Sequence, residues 1–274
     1  MFFAKLKSIY PTLTYSETKV ADYILANRQD SLEEATSSEL ASLLGVSQST
    51  IIRFSKKMGY KSFKNMILDL SRSGDDDEIE EIQLKDSTVA TNEKIKNHFS
   101  KVIDIAFDLN DSSSIDAAVN ALYHASHVFC FGYLGTSAMA LHLNWMLTEM
   151  GILSYYSEDP LAIANRLAFC PKNSLLVLFS KSGQTKAVIE VARTAKKFGV
   201  PIIGITNMAK NDLSPYLDIW LKTMYSSAKT RFLSYTELSS HLFLIDALIL
   251  NLYKKDFSRF KHAVSIYQEI SRSK

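Results

Sequence analysis

The sequence predicts two domains: an all-α domain with a helix-turn-helix, followed by an α/β domain built on a doubly wound parallel sheet. The chain has 274 residues, more than one hydrophobic core usually serves. Apolar residues recur at helical spacing before about residue 73, whereas short β-rich runs alternate with longer helical runs after residue 86. The run between them, SGDDDEIEEIQLKD, is acidic and contains Gly74, which is typical of a boundary.

The acidic run is where we place the boundary between the domains. The predicted organisation is a first domain over residues 1–75, a linker or connecting helix over residues 76–95, and a second domain with flanking helices over residues 96–274. The run is equally compatible with the solvated first turn of a helix that starts near Asp75. In that case four apolar side chains would line the connecting helix: Ile79, Ile82, Val89 and Ile95.

The composition narrows the classes of function. The net charge of +2 is nearly neutral, so affinity for a polyanion has to come from a local basic surface. The two cysteines, Cys130 and Cys170, lie far apart, which predicts a reducing compartment and no disulfide framework. The sequence has neither the h-region of a signal peptide nor about 18 uninterrupted apolar residues. These observations predict a cytoplasmic protein with no membrane partner.

The motifs expected of cofactor and metal sites are missing or incomplete. The sequence has no Walker A loop, and Gly132 and Gly135 do not form a dinucleotide fingerprint. His124 and His127 have a spacing that suits a metal, but no cysteine or acidic ligands cluster near them. We therefore predict neither a cofactor nor a metal.

Residues 36–58, TSSELASLLGVSQSTIIRFSKKM, predict two short helices joined by a tight turn. Thr36 and Glu39 form a capping box that starts the first helix. Gly45 permits the left-handed backbone that ends this helix, and Ser47 is a good N-cap for the second. The small Ala41 lets the two helices cross closely.

The polar face of the second helix has the chemistry of a recognition helix. Side chains that can form hydrogen bonds with base edges stand at the start of this helix, and cations that can bind phosphates follow. Together they form the predicted DNA-binding set: Gln48, Ser49, Thr50, Arg53, Lys56 and Lys57. The alternative is an ordinary helical hairpin with a solvated basic face. The capping box, the turn glycine and the small crossing residue favour DNA binding because all three belong to the same motif.

The segment from Tyr10 to Met66 resembles the N-terminal domain of the RpiR family of bacterial transcription regulators. The resemblance covers nearly all of residues 1–72, and it includes SETKVADYIL, the ELA…GVS…T..RF pattern and KKMGYKSF. It implies double-stranded operator DNA as a partner and a homodimer, or a dimer of dimers, as the acting form. Two-fold operators double the contacts that one short helix makes.

The second half of the chain repeats a strand-loop-helix unit. HVFCFG precedes LGTSAMALHLNWMLTEMG, and SLLVLFS precedes KSGQTKAVIEVARTAKKFG, with PIIGIT and DIWLKT as later strands. Such alternation predicts a parallel sheet whose ligands bind at the carboxyl ends of the strands. Two loops fall there, at residues 132–137 and 180–185, and both are rich in hydroxyl side chains. Serine and threonine as simple helix caps are the alternative for either loop alone.

These loops resemble those of sugar isomerase (SIS) domains, in which an S-x-S-G-x-T loop binds the phosphate of a phosphosugar. The resemblance covers about residues 99–253 and rests on FSKSGQTK. It implies a flavodoxin-like fold and these phosphosugar-binding residues: Thr136, Ser137, Ser180, Ser182, Gly183, Gln184 and Thr185. Leu134 departs from the family, which has a second glycine at this position. The leucine side chain would narrow the pocket or shift the sugar, or it would indicate a sensor whose ligand site has diverged from that of the family. Glu237 and His241 are further candidate pocket residues, although capping and core packing explain them nearly as well.

Two functions are compatible with the helix-turn-helix and the hydroxyl-rich loops. One is a regulator of genes for amino sugar or other carbohydrate metabolism, whose affinity for DNA changes when a sugar phosphate binds. The other is a phosphosugar isomerase or deaminase, which needs a general base, and Glu237 and His241 are the candidates for it. A helix-turn-helix has no evident use in such an enzyme, so the sequence favours the non-enzymatic regulator.

Overall fold

The computed structural model describes residues 2–27, 35–72, 82–225 and 237–272. These residues group into two compact units, the first ending at residue 101 and the second beginning at residue 102. Residues 73–81, which include most of the predicted acidic boundary and Ile79, lie outside the described residues. The predicted domain limits therefore stay predictions.

The regular secondary structure of the first unit is entirely helical in the described residues. Its helices are α1 (Phe2–Ile9), α2 (Tyr15–Ala26), α3 (Ser37–Leu44), α4 (Gln48–Lys57), α5 (Phe63–Arg72) and the start of α6 (Thr88–Leu109). Their core is apolar, and its fully buried side chains include Leu6, Ile24, Ile51, Phe54 and Met66. The predicted all-α character of this half of the chain is confirmed.

Local sequence signals set the limits of the two helices in the predicted motif. At the start of α3, the Glu39 amide donates to Thr36 Oγ1 and the Glu39 carboxylate accepts from the Thr36 amide, so the capping box is present. Gly45 ends α3 with φ +62°, a backbone conformation that costs glycine little. Ser47 then caps α4 by accepting from the Thr50 amide. The predicted helix-turn-helix is confirmed as a local structure.

The second unit is a five-stranded parallel sheet covered by helices. Its elements are the rest of α6, α7 (Ser112–His124), β1 (His127–Gly132), α8 (Ser137–Glu149), β2 (Ser154–Tyr156), α9 (Pro160–Ala168), β3 (Ser174–Ser180), α10 (Lys186–Lys197), β4 (Ile202–Asn207), β5 (Ile219–Thr223), α11 (Leu238–Lys255) and α12 (Phe257–Arg272). The strand order is β2-β1-β3-β4-β5, and every pair is parallel. The predicted doubly wound α/β fold is confirmed.

The central strands are buried on both faces, as their nearly continuous apolar sequence requires. Cys130 and Val177 face a core formed with α7, α8, α11 and α12. Phe131 and Leu178, one residue further along each strand, face a second core formed with α9 and α10. Because side chains alternate along a strand, each strand serves both cores.

The strand order places a switch point between β1 and β3. The connection after β1 leads to β2 on one side, and the connection after β3 leads to β4 on the other side. The loops that follow these two adjacent strands therefore start side by side and run in opposite directions along the sheet. Gly132 is paired with Phe179 at this edge. Open α/β sheets bind ligands in the crevice that such a switch creates.

The outer edge of β5 is covered by a side chain. Asn110, just after α6, donates from Nδ2 to the Lys222 carbonyl at 2.8 Å and accepts from the Lys222 amide at 2.7 Å. The amide group of Asn110 thus pairs with β5 as a neighbouring strand would.

Candidate recognition helix and ligand loops

Helix α4 has one buried and one exposed face. Ile51, Phe54 and Ser55 lie on the buried face. The exposed face carries four of the predicted DNA-binding residues: Gln48, Ser49, Arg53 and Lys56. Two amide or hydroxyl groups at the helix start and two cations further along give this face the means to bind base edges and phosphates.

Two residues of the predicted DNA-binding set do not lie on this face. Lys57 Nζ donates to the Thr12 carbonyl at 2.6 Å and to Glu17 Oε2 at 2.9 Å, so its ammonium ties α4 to α2. Burial raises the pKa of the Glu17 carboxyl, but hydrogen bonds from Thr14 and Lys57 outweigh burial and hold that pKa below its usual value. Thr50 is buried, with its hydroxyl 2.9 Å from Ser47 Oγ. Helical periodicity turns both positions inward, so we leave them out of the DNA face.

The loop after β3 has the geometry of an anion site. Ser180 Oγ accepts from the Gly183 amide at 3.1 Å, and Ser182 Oγ accepts from the Gln184 amide at 3.2 Å. A hydroxyl that accepts one bond still has its own hydrogen to donate. The loop leads into α10, whose first amides have no acceptor within the helix and whose dipole favours negative charge.

Gly183 is required in this loop on two grounds. Its φ is +71°, and a Cβ added to it would lie 2.2 Å from the Asn211 side chain. Asn211 is itself fixed, because its amide group donates to two backbone carbonyls and accepts from two backbone amides of the loop after β4. Asn211 supports this loop, a role that the sequence alone did not indicate. It lies 28 residues after Gly183 in the chain, and no sequence motif connects the two positions.

Two further hydroxyl groups belong to Thr185, at the end of the loop, and to Thr206, on β4 beside Ser180. Thr185 is the N-cap residue of α10, and its side chain forms no capping bond with the described residues. Thr206 pairs in register with Ser180 and is fully buried. Its hydroxyl has no hydrogen-bond partner among the described residues, which is a costly state for a buried polar group.

The loop after β1 uses its hydroxyls within the protein. Thr136 Oγ1 accepts from the Tyr133 amide at 3.1 Å and lies 3.1 Å from the Phe179 carbonyl, to which it can donate. Ser137 Oγ donates to the Leu134 carbonyl at 2.7 Å. The Tyr133 carbonyl, at 3.0 Å, is a second acceptor for the Thr136 hydroxyl, so Thr136 lies between its own loop and the end of β3. The role of these two hydroxyls as ligand contacts stays a prediction.

Leu134 adopts a backbone conformation that glycine favours. Its φ is +53°, in the left-handed region that costs a residue with a Cβ about 1–2 kcal/mol. The side chain is 75% exposed. The loop thus keeps the backbone shape of the glycine that the resemblance implies, while the added side chain extends outward.

Glu237 and His241 are both buried at the start of α11. The His241 ring centre lies 6.3 Å from that of Phe179, and its Nε2 has no hydrogen-bond partner among the described residues. The pKa of His241 is lowered to about 4: burial is the main cause, a hydrogen bond to the Glu237 backbone opposes it, and the charge of Lys181 adds to the lowering. The imidazole is therefore neutral near pH 7. The contact with Phe179 places His241 beside the end of β3, where the loop begins.

Other features of the described residues suggest no further chemistry. They contain no cluster of three His, Cys, Asp or Glu side chains arranged to hold a metal. Burial raises the pKa of the Cys130 thiol far above its usual value, which makes the thiol unreactive. No helix in the described ranges is both long and apolar enough to span a membrane.

Comparison with known proteins places both units in described families. Residues 2–75 match the helix-turn-helix domain of the rpiR family, and residues 121–251 match the SIS domain. An uncharacterized HTH-type transcriptional regulator of Thermotoga maritima is 28% identical over 92% of this chain and 91% of its own length. The uncharacterized HTH-type regulator YbbH of Bacillus subtilis is 26% identical over 93% of this chain and 91% of its own length.

Solved structures share the same fold. The NanR protein of Vibrio vulnificus, in complex with ManNAc-6P, has a TM-score of 0.62 and 23% identity and covers 98% of this chain and 97% of its own. The sugar isomerase domain of an RpiR transcription factor from Sphaerobacter thermophilus has a TM-score of 0.59 and 18% identity over 66% of this chain and 98% of its own. With a helix-turn-helix domain and a SIS domain in this order, the chain belongs to the RpiR family of transcriptional regulators.

Proposed function

We propose that this regulator binds operator DNA through the exposed face of α4 and that a phosphorylated sugar, bound at the loops after β1 and β3, changes its affinity for DNA. The observation that carries the proposal is the loop at residues 180–185, which holds the Ser180 and Ser182 hydroxyls and the start of α10 together at the switch point of the sheet. The NanR protein, which has the same fold, was solved with ManNAc-6P.

The chemistry of the loop fits a phosphate monoester. The amides at the start of α10 and the hydroxyls of Ser180, Ser182 and Thr185 supply donors, and the helix dipole favours the negative charge. The backbone amides of Gly183 and Gln184 are already bonded to Ser180 and Ser182, so in this arrangement they hold the hydroxyls in place. The sugar would extend toward the loop after β1, where Leu134 borders the site.

The DNA face works as part of a homodimer in the cytoplasm. Arg53 and Lys56 supply phosphate contacts, and Gln48 and Ser49 face the base edges when the start of α4 enters the major groove. A dimer presents two such helices to the two halves of an operator, which accounts for specific binding by so short a helix. The sugar phosphate acts by stabilising one arrangement of the dimer over another.

We propose no enzymatic activity. The alternative, an isomerase or deaminase, needs a general base beside the substrate carbonyl. His241 is neutral and so able to accept a proton, but a pKa of about 4 makes it a weak base near pH 7. The curated relatives are named as HTH-type transcriptional regulators, which supports the non-enzymatic function.

Fluorescence anisotropy with duplex DNA tests the proposal. The DNA is selected from a random library with the full chain, and binding is then titrated with a panel of sugar phosphates that includes ManNAc-6P. At least one member of the panel should change the affinity for DNA. Failure of every member to do so, or turnover of any member, would contradict the regulator.

Two variants separate the two sites. Arg53→Ala should weaken DNA binding without changing the affinity for the sugar phosphate. Ser182→Ala should leave DNA binding without effector unchanged and reduce the effect of the sugar phosphate. If either variant loses both properties while still folded, as judged by circular dichroism, then the assignment of separate sites is wrong.

A further inference from the structure

The exposed face of α4 includes an apolar side chain. Ile52 is 39% exposed, and it follows Gln48 by four residues and precedes Lys56 by four residues on the same helix. Residues four apart in a helix lie on one face. Ser49 and Arg53, which are also exposed, lie beside Ile52 on one side, and the buried Ser55 lies on its other side. Ile52 thus stands at the border of the exposed face, next to polar and basic residues.

Helix stability and core packing do not account for Ile52. The buried face of α4 is formed by Ile51, Phe54 and Ser55, and Ile52, although it adjoins Ser55, is far more exposed than any of them. On an exposed helical surface, a β-branched residue is less favourable than alanine, lysine or glutamate. A single exposed apolar residue is common in proteins, but its position here, between Gln48 and Lys56 on the face proposed to enter the groove, suggests a role in binding.

We infer that Ile52 recognises thymine by contact with its 5-methyl group, an inference that rests on the proposed function. The major groove presents one apolar feature among its donors and acceptors, and that feature is the thymine methyl. The cations Arg53 and Lys56 attract the duplex through its phosphates, which carry no sequence information. The inference adds to the DNA face a residue that selects sequence through apolar contact, whereas Gln48 and Ser49 select through hydrogen bonds.

The test removes the methyl group from the DNA. In a duplex selected with the full chain, each thymine is replaced in turn by deoxyuridine, which keeps the base-pairing groups and loses only the methyl. Burial of one methyl group is worth about 0.8 kcal/mol, equivalent to an approximately fourfold change in affinity. We expect wild type to lose about fourfold in affinity at one thymine of each half-site, and Ile52→Ala to lose almost nothing at that same thymine.

Two controls keep the result specific. Lys56→Ala should weaken binding to every duplex and keep the fourfold effect of deoxyuridine. Leu43→Ala removes an apolar side chain that is more exposed than Ile52 and belongs to α3, outside this face, and should also keep the effect.

The outcomes are distinct. The inference is overturned if wild type is indifferent to every deoxyuridine, or if Ile52→Ala is as sensitive as wild type at the same thymine. If wild type binds no duplex from the library, the proposed DNA binding fails as well, and the inference falls with it.

Discussion

Substitution of Gly183 by alanine tests the geometry of the ligand loop. At φ +71°, alanine costs about 1–2 kcal/mol more than glycine. The new Cβ would also lie 2.2 Å from Asn211, closer than real Cβ contacts allow. Because Asn211 is fixed by four hydrogen bonds to its own loop, the Gly183 loop has to move instead.

Movement of this loop displaces the Ser180 hydroxyl and the amides that hold it. Binding of the ligand then has to restore the strained loop conformation. That cost of about 1–2 kcal/mol corresponds to a roughly five- to thirtyfold loss of affinity, and the steric conflict with Asn211 adds to it. We therefore expect Gly183→Ala to bind the effective sugar phosphate at least tenfold more weakly, as measured by isothermal titration calorimetry, with DNA affinity in the absence of effector unchanged.

Gly135→Ala is the matched control. A Cβ at Gly135 meets no atom within 4 Å, so this variant should bind the sugar phosphate as wild type does. Equal losses in the two variants, or an unchanged affinity in Gly183→Ala, would refute the argument that the shape of this loop determines binding.

Three further predictions concern stability. Leu134→Gly should raise the free energy of unfolding by up to ~1 kcal/mol in urea denaturation, because it relieves a left-handed leucine; a decrease would mean that the exposed side chain has contacts of its own. Lys57→Met should lower it by about 1–3 kcal/mol, since it leaves the Glu17 carboxylate buried without its cation, whereas Lys56→Met, at an exposed position, should change it by less than about 0.5 kcal/mol. The folded-state pKa of His241, about 4, is below the unfolded value, so its contribution to the free energy of unfolding is fully present above about pH 6.5 and is lost as the pH falls toward 4. Over this range, the free energy of unfolding of wild type should fall by about 3 kcal/mol more than that of His241→Asn. Parallel pH profiles of the two proteins would contradict the buried neutral imidazole.

The sequence was sufficient for features that depend on neighbouring residues. The capping box of Thr36 and Glu39 is local, and so is the need for glycine at position 45. The apolar strands followed by hydroxyl-rich loops have a repeating pattern that fixes the parallel sheet. Each of these signals lies within a few residues of the structure that it predicts.

Features that depend on distant contacts were not predictable from the same sequence. Lys57 has the composition of a DNA contact, but its partners Glu17 and Thr12 lie 40 and 45 residues earlier in the chain. Asn211 supports the ligand loop through packing against Gly183, and no spacing rule connects them. The fold decides which of several suitable polar groups is used for structure and which stays exposed.

The side-chain amide that pairs with β5 has a consequence for solubility. An unpaired strand edge is a template onto which a second chain can add, and natural proteins shield such edges. Asn110 occupies hydrogen-bonding groups of β5 at Lys222, while the opposite edge strand, β2, has only three residues. One asparagine and one short strand thus reduce the length of strand edge that a second chain could pair with at either side of the sheet.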